Sequence, residues 1–209
     1  MLCRGWLWAR RRFFPTRLDR IRTIDGWLFD SQMEFLTRCV RKLPQESRIV
    51  GIGVWKGKST LTMAEACRGT HKKVYAVDPW VDYEQGGSNV GQRLGEWGVN
   101  SFEEVYDSCR KNCQDLQLET WIKVRRSTSR EAAKSWSEGP VAMVFVDGGH
   151  DYEAGMDDLQ SWVPLMRPRG IVCGDDWNWE SVSGAVKDFV NRAEYWLEFP
   201  CENTWLFRV

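Results

Sequence analysis

From residue 23 onward, apolar positions alternate between two patterns. Unbroken apolar runs read as buried strands: RIVGIGV (48–54), KKVYAVDPW (72–80), TWIKVRRS (120–127), VAMVFVDGG (141–149) and GIVCGDDW (170–177). Between them lie segments with helical spacing: GKSTLTMAEACRG, SFEEVYDSCRKNCQDL, SREAAKSW, YEAGMDDLQSWVPLM and ESVSGAVKDFVNRA. Ahead of the first strand, Phe35, Leu36, Cys39, Val40 and Leu43 mark another helix. Ser31 and Glu34 read as its capping box, and Pro44 as its stop. YWLEFP and TWLFRV close the chain. Continuous apolar strands separated by helices predict a doubly wound α/β fold, with a mostly parallel sheet covered on both faces. In such folds ligands sit beyond the carboxyl ends of the strands, where the strand order reverses.

Composition narrows this picture without changing it. A chain of 209 residues, 43% hydrophobic, fits one domain, and 29 basic against 29 acidic residues leave no net field to recruit nucleic acid. Seven cysteines without CxxC spacing point to a reduced, cytoplasmic setting; Cys109 and Cys113 read as small apolar residues on a core face rather than a metal pair. Residues 1–22 differ sharply from the rest, with seven arginines, one acid and several aromatics, and are expected to form a basic arm ahead of a domain at 23–209. Nothing in the chain reads as a secretory signal or a transmembrane segment.

Two clusters carry candidate chemistry. In the first, Gly53 and Gly57 fall just past the first strand, where a tight turn leads into a helix N-terminus able to receive an anion. The spacing from Gly53 to Gly57-Lys58-Ser59 is one residue short of a P-loop, and Lys56 stands where a dinucleotide fingerprint needs glycine. Asp78, ending the second strand, is placed to accept two ribose hydroxyls. A ribose-bearing cofactor without a pyrophosphate on the loop fits best, and S-adenosylmethionine is one.

In the second cluster, Asp147 ends one strand and Asp175 and Asp176 end another, so three carboxylates are expected at one sheet edge. They repel unless a cation neutralises them, and hard oxygen ligands favour Mg²⁺ or another divalent cation; the alternative is that they only cap helices and turns. His150, three residues beyond Asp147, is the candidate base, whereas His71 reads as a solvated loop residue.

VGIGVWKGKST, VYAVDPW, FVDGGHDYEAGMDDLQSWVPLMRPRGIVCGDDW and GAVKDF together resemble the class I S-adenosylmethionine-dependent methyltransferases. Within them the chain is most similar to macrolide and aminocoumarin sugar O-methyltransferases, and more distantly to catechol O-methyltransferase. The resemblance implies a Rossmann-like seven-stranded sheet with an antiparallel last strand. It implies a cofactor site of Gly51, Gly53, Trp55, Gly57, Ser59, Asp78, Ser127, Thr128 and Asp147, with Ser127 or Thr128 beside the adenine. Asp147, Asp175 and Asp176 match the metal ligands of metal-dependent members, and His150 matches the base, with Asp147 beside it in the catalytic set. One departure stands out: Gly51 occupies a position where the family usually carries an acid that orders the glycine loop.

The expected activity is O-methylation, divalent-metal-assisted, of a sugar or other diol-like small molecule. The acceptor is expected to be a glycoside or phenol, with no nucleic acid partner, and a homo-oligomer is compatible with the chain. Trp55, Trp80, Trp97, Trp177 and Trp179, of 13 tryptophans, are candidates to stack on the acceptor. The polar, glycine-rich residues 81–100 read as a lid over it. The competing readings are a nicotinamide-dependent oxidoreductase, which Lys56 disfavours, and a non-catalytic binding protein of the same fold, which Gly51 favours.

Overall fold

The computed structural model describes residues 16–82, 84–85 and 88–209. Most of the basic arm, including Cys3, therefore lies outside the described residues. Its last residues form helix α1 (Arg17–Arg22), where Ile21 is fully buried in the core, so this end packs onto the domain. Helix α2 (Asp30–Lys42) leads into strand β1 (Arg48–Ile52), helix α3 (Lys58–Ala66) and strand β2 (Lys73–Val77). A two-residue ribbon, β3 (Glu84–Gln85) with β4 (Ser88–Asn89), and a 3-10 helix, Val90–Trp97, fill the expected lid segment. Helix α4 (Phe102–Asp115), β5 (Ile122–Arg125), α5 (Ser129–Lys134), β6 (Val141–Val146), α6 (Tyr152–Trp162), β7 (Met166–Gly174), α7 (Glu180–Ala193), β8 (Glu198–Cys201) and β9 (Thr204–Arg208) follow.

The main sheet has seven strands in the order β5-β2-β1-β6-β7-β9-β8. Its first five strands run parallel, and β9 pairs antiparallel with both β7 and β8. This is the doubly wound, seven-stranded architecture expected from the sequence. Successive side chains of each strand face opposite layers. Ile49 packs with Leu36, Val40 and Leu61 of α2 and α3, whereas Val50 and Ile52 pack with Leu159, Trp162 and Val186 of α6 and α7. A third cluster, around Val54, Trp80, Val105 and Cys109, seats α4 beyond the end of β2. Burial pushes the Cys109 thiol up to about 12 and the Cys113 thiol up to about 11, so both behave as apolar core groups. All six described cysteines are free.

Helix α2 starts differently from expectation. Phe29, not Ser31, is the N-cap, and the Gln32 side chain closes the turn by accepting the Phe29 N–H at 2.8 Å. The Ser31 hydroxyl donates instead to Glu202 of the closing hairpin, so a tertiary contact overrides the local capping signal.

The order reverses between β1 and β6, whose ends lie in register, Ile52 opposite Val146. Three backbone bonds continue this stagger past the strand ends: Gly53 N to Val77 O at 3.0 Å, Asp147 N to Ile52 O at 2.9 Å, and Asp175 N to Val146 O at 3.0 Å. The glycine turn and the acidic residues therefore emerge side by side at the switch point.

Candidate active site

The turn after β1 is held by its own backbone. Gly53 has φ +75°, and a Cβ there would lie 1.8 Å from the Asp147 carbonyl oxygen, so only glycine lets the two loops approach. Gly57, at φ +97°, is the N-cap of α3 and offers no side chain to the helix's first N–H groups. The helix start expected here is therefore present and carries no capping side chain, with Ser59 buried in its first turn. Trp55 (φ 52°) and Trp80 (φ 46°) both occupy the left-handed region, which is costly for a bulky L-residue.

Asp78, expected on the ribose, also ties the loop together. In its carboxylate, Oδ2 accepts from Val54 N at 2.8 Å and Trp55 N at 3.2 Å, and Oδ1 accepts from Trp80 N at 2.7 Å. Burial raises its pKa above the ordinary carboxylate value, and these three donors oppose that rise. Of Ser127 and Thr128, expected beside the adenine, Thr128 has a local role. Its hydroxyl caps α5, in a reciprocal box with Glu131, and its side chain is exposed; of the adenine pair, Ser127 is left half-buried with no such commitment.

Across the switch point, charge replaces backbone. Asp147, His150 and Asp176 each place a ligand atom within 4.8 Å of the others. His150 Nε2 lies 2.8 Å from Asp176 Oδ2, and its ring stacks on Trp179 at 5.1 Å between centroids. Asp147 is held well above the usual carboxylate range by burial, then by the charges of Asp175, Asp176 and Asp78.

Asp175 does not join this group. It is 5% exposed, and its Oδ1 accepts from Gln32 Nε2 at 2.7 Å, Asn203 Nδ2 at 2.9 Å and Asp176 N at 2.7 Å. Asp176 has φ 60°, so the chain turns sharply between the two aspartates and sends one carboxylate inward and one into the cleft. Burial raises Asp175 to about 6. Of the three aspartates expected together, Asp147 and Asp176 converge, with His150 as their third neighbour, while the Asp175 carboxylate is engaged by Gln32 and Asn203. A cavity of about 10 Å³, the size of one water, is lined by the acidic cluster on one side and by Val182, Val186 and Trp205 on the other.

The tryptophans divide as well. Trp80 is 2% exposed and cannot stack on an acceptor. Trp55 and Trp97 join Trp27, which the sequence did not single out, in a three-ring cluster with centroids 5.5–5.7 Å apart. Trp27 and Trp179 are exposed. His71 is exposed in its loop, as expected. Gln32 and Asn203, which orient Asp175, carry no local sequence signal, because they lie 143 and 28 residues away.

A family model described as "Methyltransferase domain" matches residues 50–177, more than half of the chain. The chain belongs to this methyltransferase family. An uncharacterized protein, y4gI of Sinorhizobium fredii, is 28% identical over 131 residues; these cover 62% of this chain but 13% of that relative, so the chain spans a small part of its length. Among solved structures, the O-methyltransferase NovP superposes with a TM-score of 0.66 at 16% identity, covering 85% of this chain and 79% of NovP. An O-methyltransferase from Bacillus cereus in complex with S-adenosylhomocysteine superposes with a TM-score of 0.63 at 15% identity, covering 97% and 96%. The fold is that of S-adenosylmethionine-dependent O-methyltransferases. Among the described residues, no helix of this methyltransferase is long and apolar enough to cross a membrane.

Proposed function

We propose that this methyltransferase transfers a methyl group from S-adenosylmethionine to a hydroxyl of a sugar or other diol-like small molecule, assisted by a divalent cation. The observation that carries the reading is the His150–Asp176 pair, 2.8 Å apart beside Asp147, at the edge where the glycine turn also emerges.

The donor set suits both groups. The Gly57 helix start, with no capping side chain, suits the cofactor's carboxylate, and Ser127 fits the adenine side. The mutually repelling Asp147, Asp175 and Asp176 favour positive charge nearby, whether a sulfonium or a metal ion. Asp147 and Asp176 would hold Mg²⁺ or another divalent cation, with His150 beside them. The cofactor supplies an electrophilic methyl group, and the cation supplies acidity to a neighbouring hydroxyl.

The chain itself supplies position and a proton acceptor. Asp176 and the Trp179 ring fix the orientation of the His150 imidazole. The His150 imidazole is the proton acceptor for the hydroxyl, and Asp176, 2.8 Å from Nε2, stabilises the imidazolium that forms. The exposed face of Trp179 offers an apolar surface to the acceptor ring beside that base.

Calorimetric titration with S-adenosylhomocysteine, with and without Mg²⁺ or Mn²⁺, tests the reading. One-to-one binding, followed by methyl transfer to glycosides or catechols that chelation abolishes, is the expected result. Absence of binding in all conditions favours a non-catalytic protein of the same fold.

A further inference from the structure

We propose that Asp158 is a positioning residue of the cofactor edge: it ties the turn between Asp147 and His150 to the start of α5, the two loops between which the cofactor would lie. The inference rests on the reading of this edge as a site for S-adenosylmethionine.

Three observations converge on Asp158. First, its side chain reaches the turn that carries His150. Helical side chains lean towards the N-terminus of their helix, and α6 begins two residues after His150. A Cβ at Gly148 would meet Asp158 Oδ2 at 3.5 Å and Ile52 Cγ2 at 3.3 Å, and a Cβ at Gly53 would lie 2.9 Å from the Gly148 Cα. The turn is therefore enclosed by the end of β1, the glycine loop and Asp158.

Second, Asp158 holds α5 by a hydrogen bond whose direction is fixed. Trp162, one helical turn on from Asp158, is 1% exposed and donates its Nε1–H to Ser129 Oγ at 2.9 Å. The indole nitrogen can only donate, so the single hydroxyl proton of Ser129 goes to Asp158. Ser129 is the first residue of α5, two beyond Ser127. One carboxylate thus joins loops whose strands, β5 and β6, are separated in the sheet by β2 and β1, the strands that end in the glycine turn and Asp78.

Third, the fold gains nothing from the charge. Asp158 is 6% exposed, and among the described residues the charges that act on it, those of Asp157 and Asp151, repel it, with Ser129 the one group that stabilises the carboxylate. A charge buried without a cation destabilises the fold, and groups held in that way gather at functional sites. What the carboxylate provides is the placement of the two loops.

A positioning role separates from a structural one when stability is set against binding. Melting temperature and affinity for S-adenosylhomocysteine are measured for the wild type, Asp158→Leu, Asp158→Asn and Ser129→Ala. Asp158→Leu is expected to melt at or above the wild-type temperature in mildly alkaline buffer, yet to bind roughly tenfold more weakly for loss of a charge-assisted hydrogen bond. Asp158→Asn, which still accepts from Ser129, should recover most of that affinity. Ser129→Ala should weaken binding by a similar factor, and its addition to Asp158→Leu should weaken it little further. A stable Asp158→Leu protein with wild-type affinity overturns the proposal, as do fully additive losses in the double variant.

Amide spectra of the ligand-free Ser129→Ala protein give a readout that does not depend on the folding of Asp158→Leu. The Gly148 and Gly149 amide resonances are expected to shift, and resonances left in place overturn the assignment. Wild-type protein that does not bind S-adenosylhomocysteine overturns the cofactor reading instead, and the amide result still decides whether Asp158 ties the two loops.

Discussion

The two halves of the sheet's carboxyl edge are built on opposite principles. On the β1–β2 side the working surface is main chain: Gly53 stripped of a side chain, two tryptophans in left-handed conformations, and an uncapped helix start. On the β6–β7 side it is side-chain charge: Asp147, His150 and Asp176 converging, with Asp175 buried behind them. A change of shape damages the first half, whereas a change of charge damages the second. Stability and turnover should therefore fail separately.

The largest effect is expected in the charged half. His150→Ala should lower methyl transfer by roughly 10²–10⁴-fold, the usual worth of a general base. Its melting temperature should stay close to that of the wild type, because the ring is partly exposed. Unfolding in parallel with lost activity would erase the distinction between the halves. Gly53→Ala should have the converse signature, a stability loss of about 3 kcal/mol or more. Its Cβ cannot be accommodated 1.8 Å from the Asp147 carbonyl oxygen at φ +75°. Denaturant titration measures this directly.

A third change lies beneath the boundary between the halves. Asp158 of α6 is 6% exposed and lies close under Gly148, and burial pushes it up to about 7 despite a hydrogen bond from Ser129. Between about pH 4 and 7 the folded protein retains a proton there that the unfolded chain has released. Stability should therefore be greatest at the acid end and fall as pH rises towards 7. Asp158→Asn should remove that slope and stabilise the protein at pH 8 by up to about 4 kcal/mol. Equal slopes in thermal melts of the two proteins would refute this assignment. The smallest expected effect is that of Trp27→Ala, about 1 kcal/mol or less, because the residue is 64% exposed although its ring meets both Trp55 and Trp97.

The backbone half was the more legible in the sequence. Glycine spacing after an apolar run is a local signal, and the strands and closing hairpin emerged where apolar runs placed them. The charged half was legible only as a set. Asp147, Asp175 and Asp176 all end strands, but nothing in GDDW tells which aspartate turns inward. That choice is made by Gln32 and Asn203, which claim Asp175, and by the left-handed turn at Asp176, which frees the second carboxylate for His150. Long-range partners likewise explain the displaced start of α2, where Ser31 reaches Glu202 instead of capping. At Thr128 the signal is local instead: its hydroxyl closes a capping box with Glu131, three residues on.

The anchoring of Asp175 reaches further than orientation. Gln32 belongs to the first turn of α2 and Asn203 to the turn between the last two strands, so two distant parts of the chain meet at one buried oxygen. In engineering terms, neither segment is a neutral place to cut, splice or attach a label. A fusion that loosens the final hairpin would be read out first as a fault of the acidic edge, long before the sheet itself gave way.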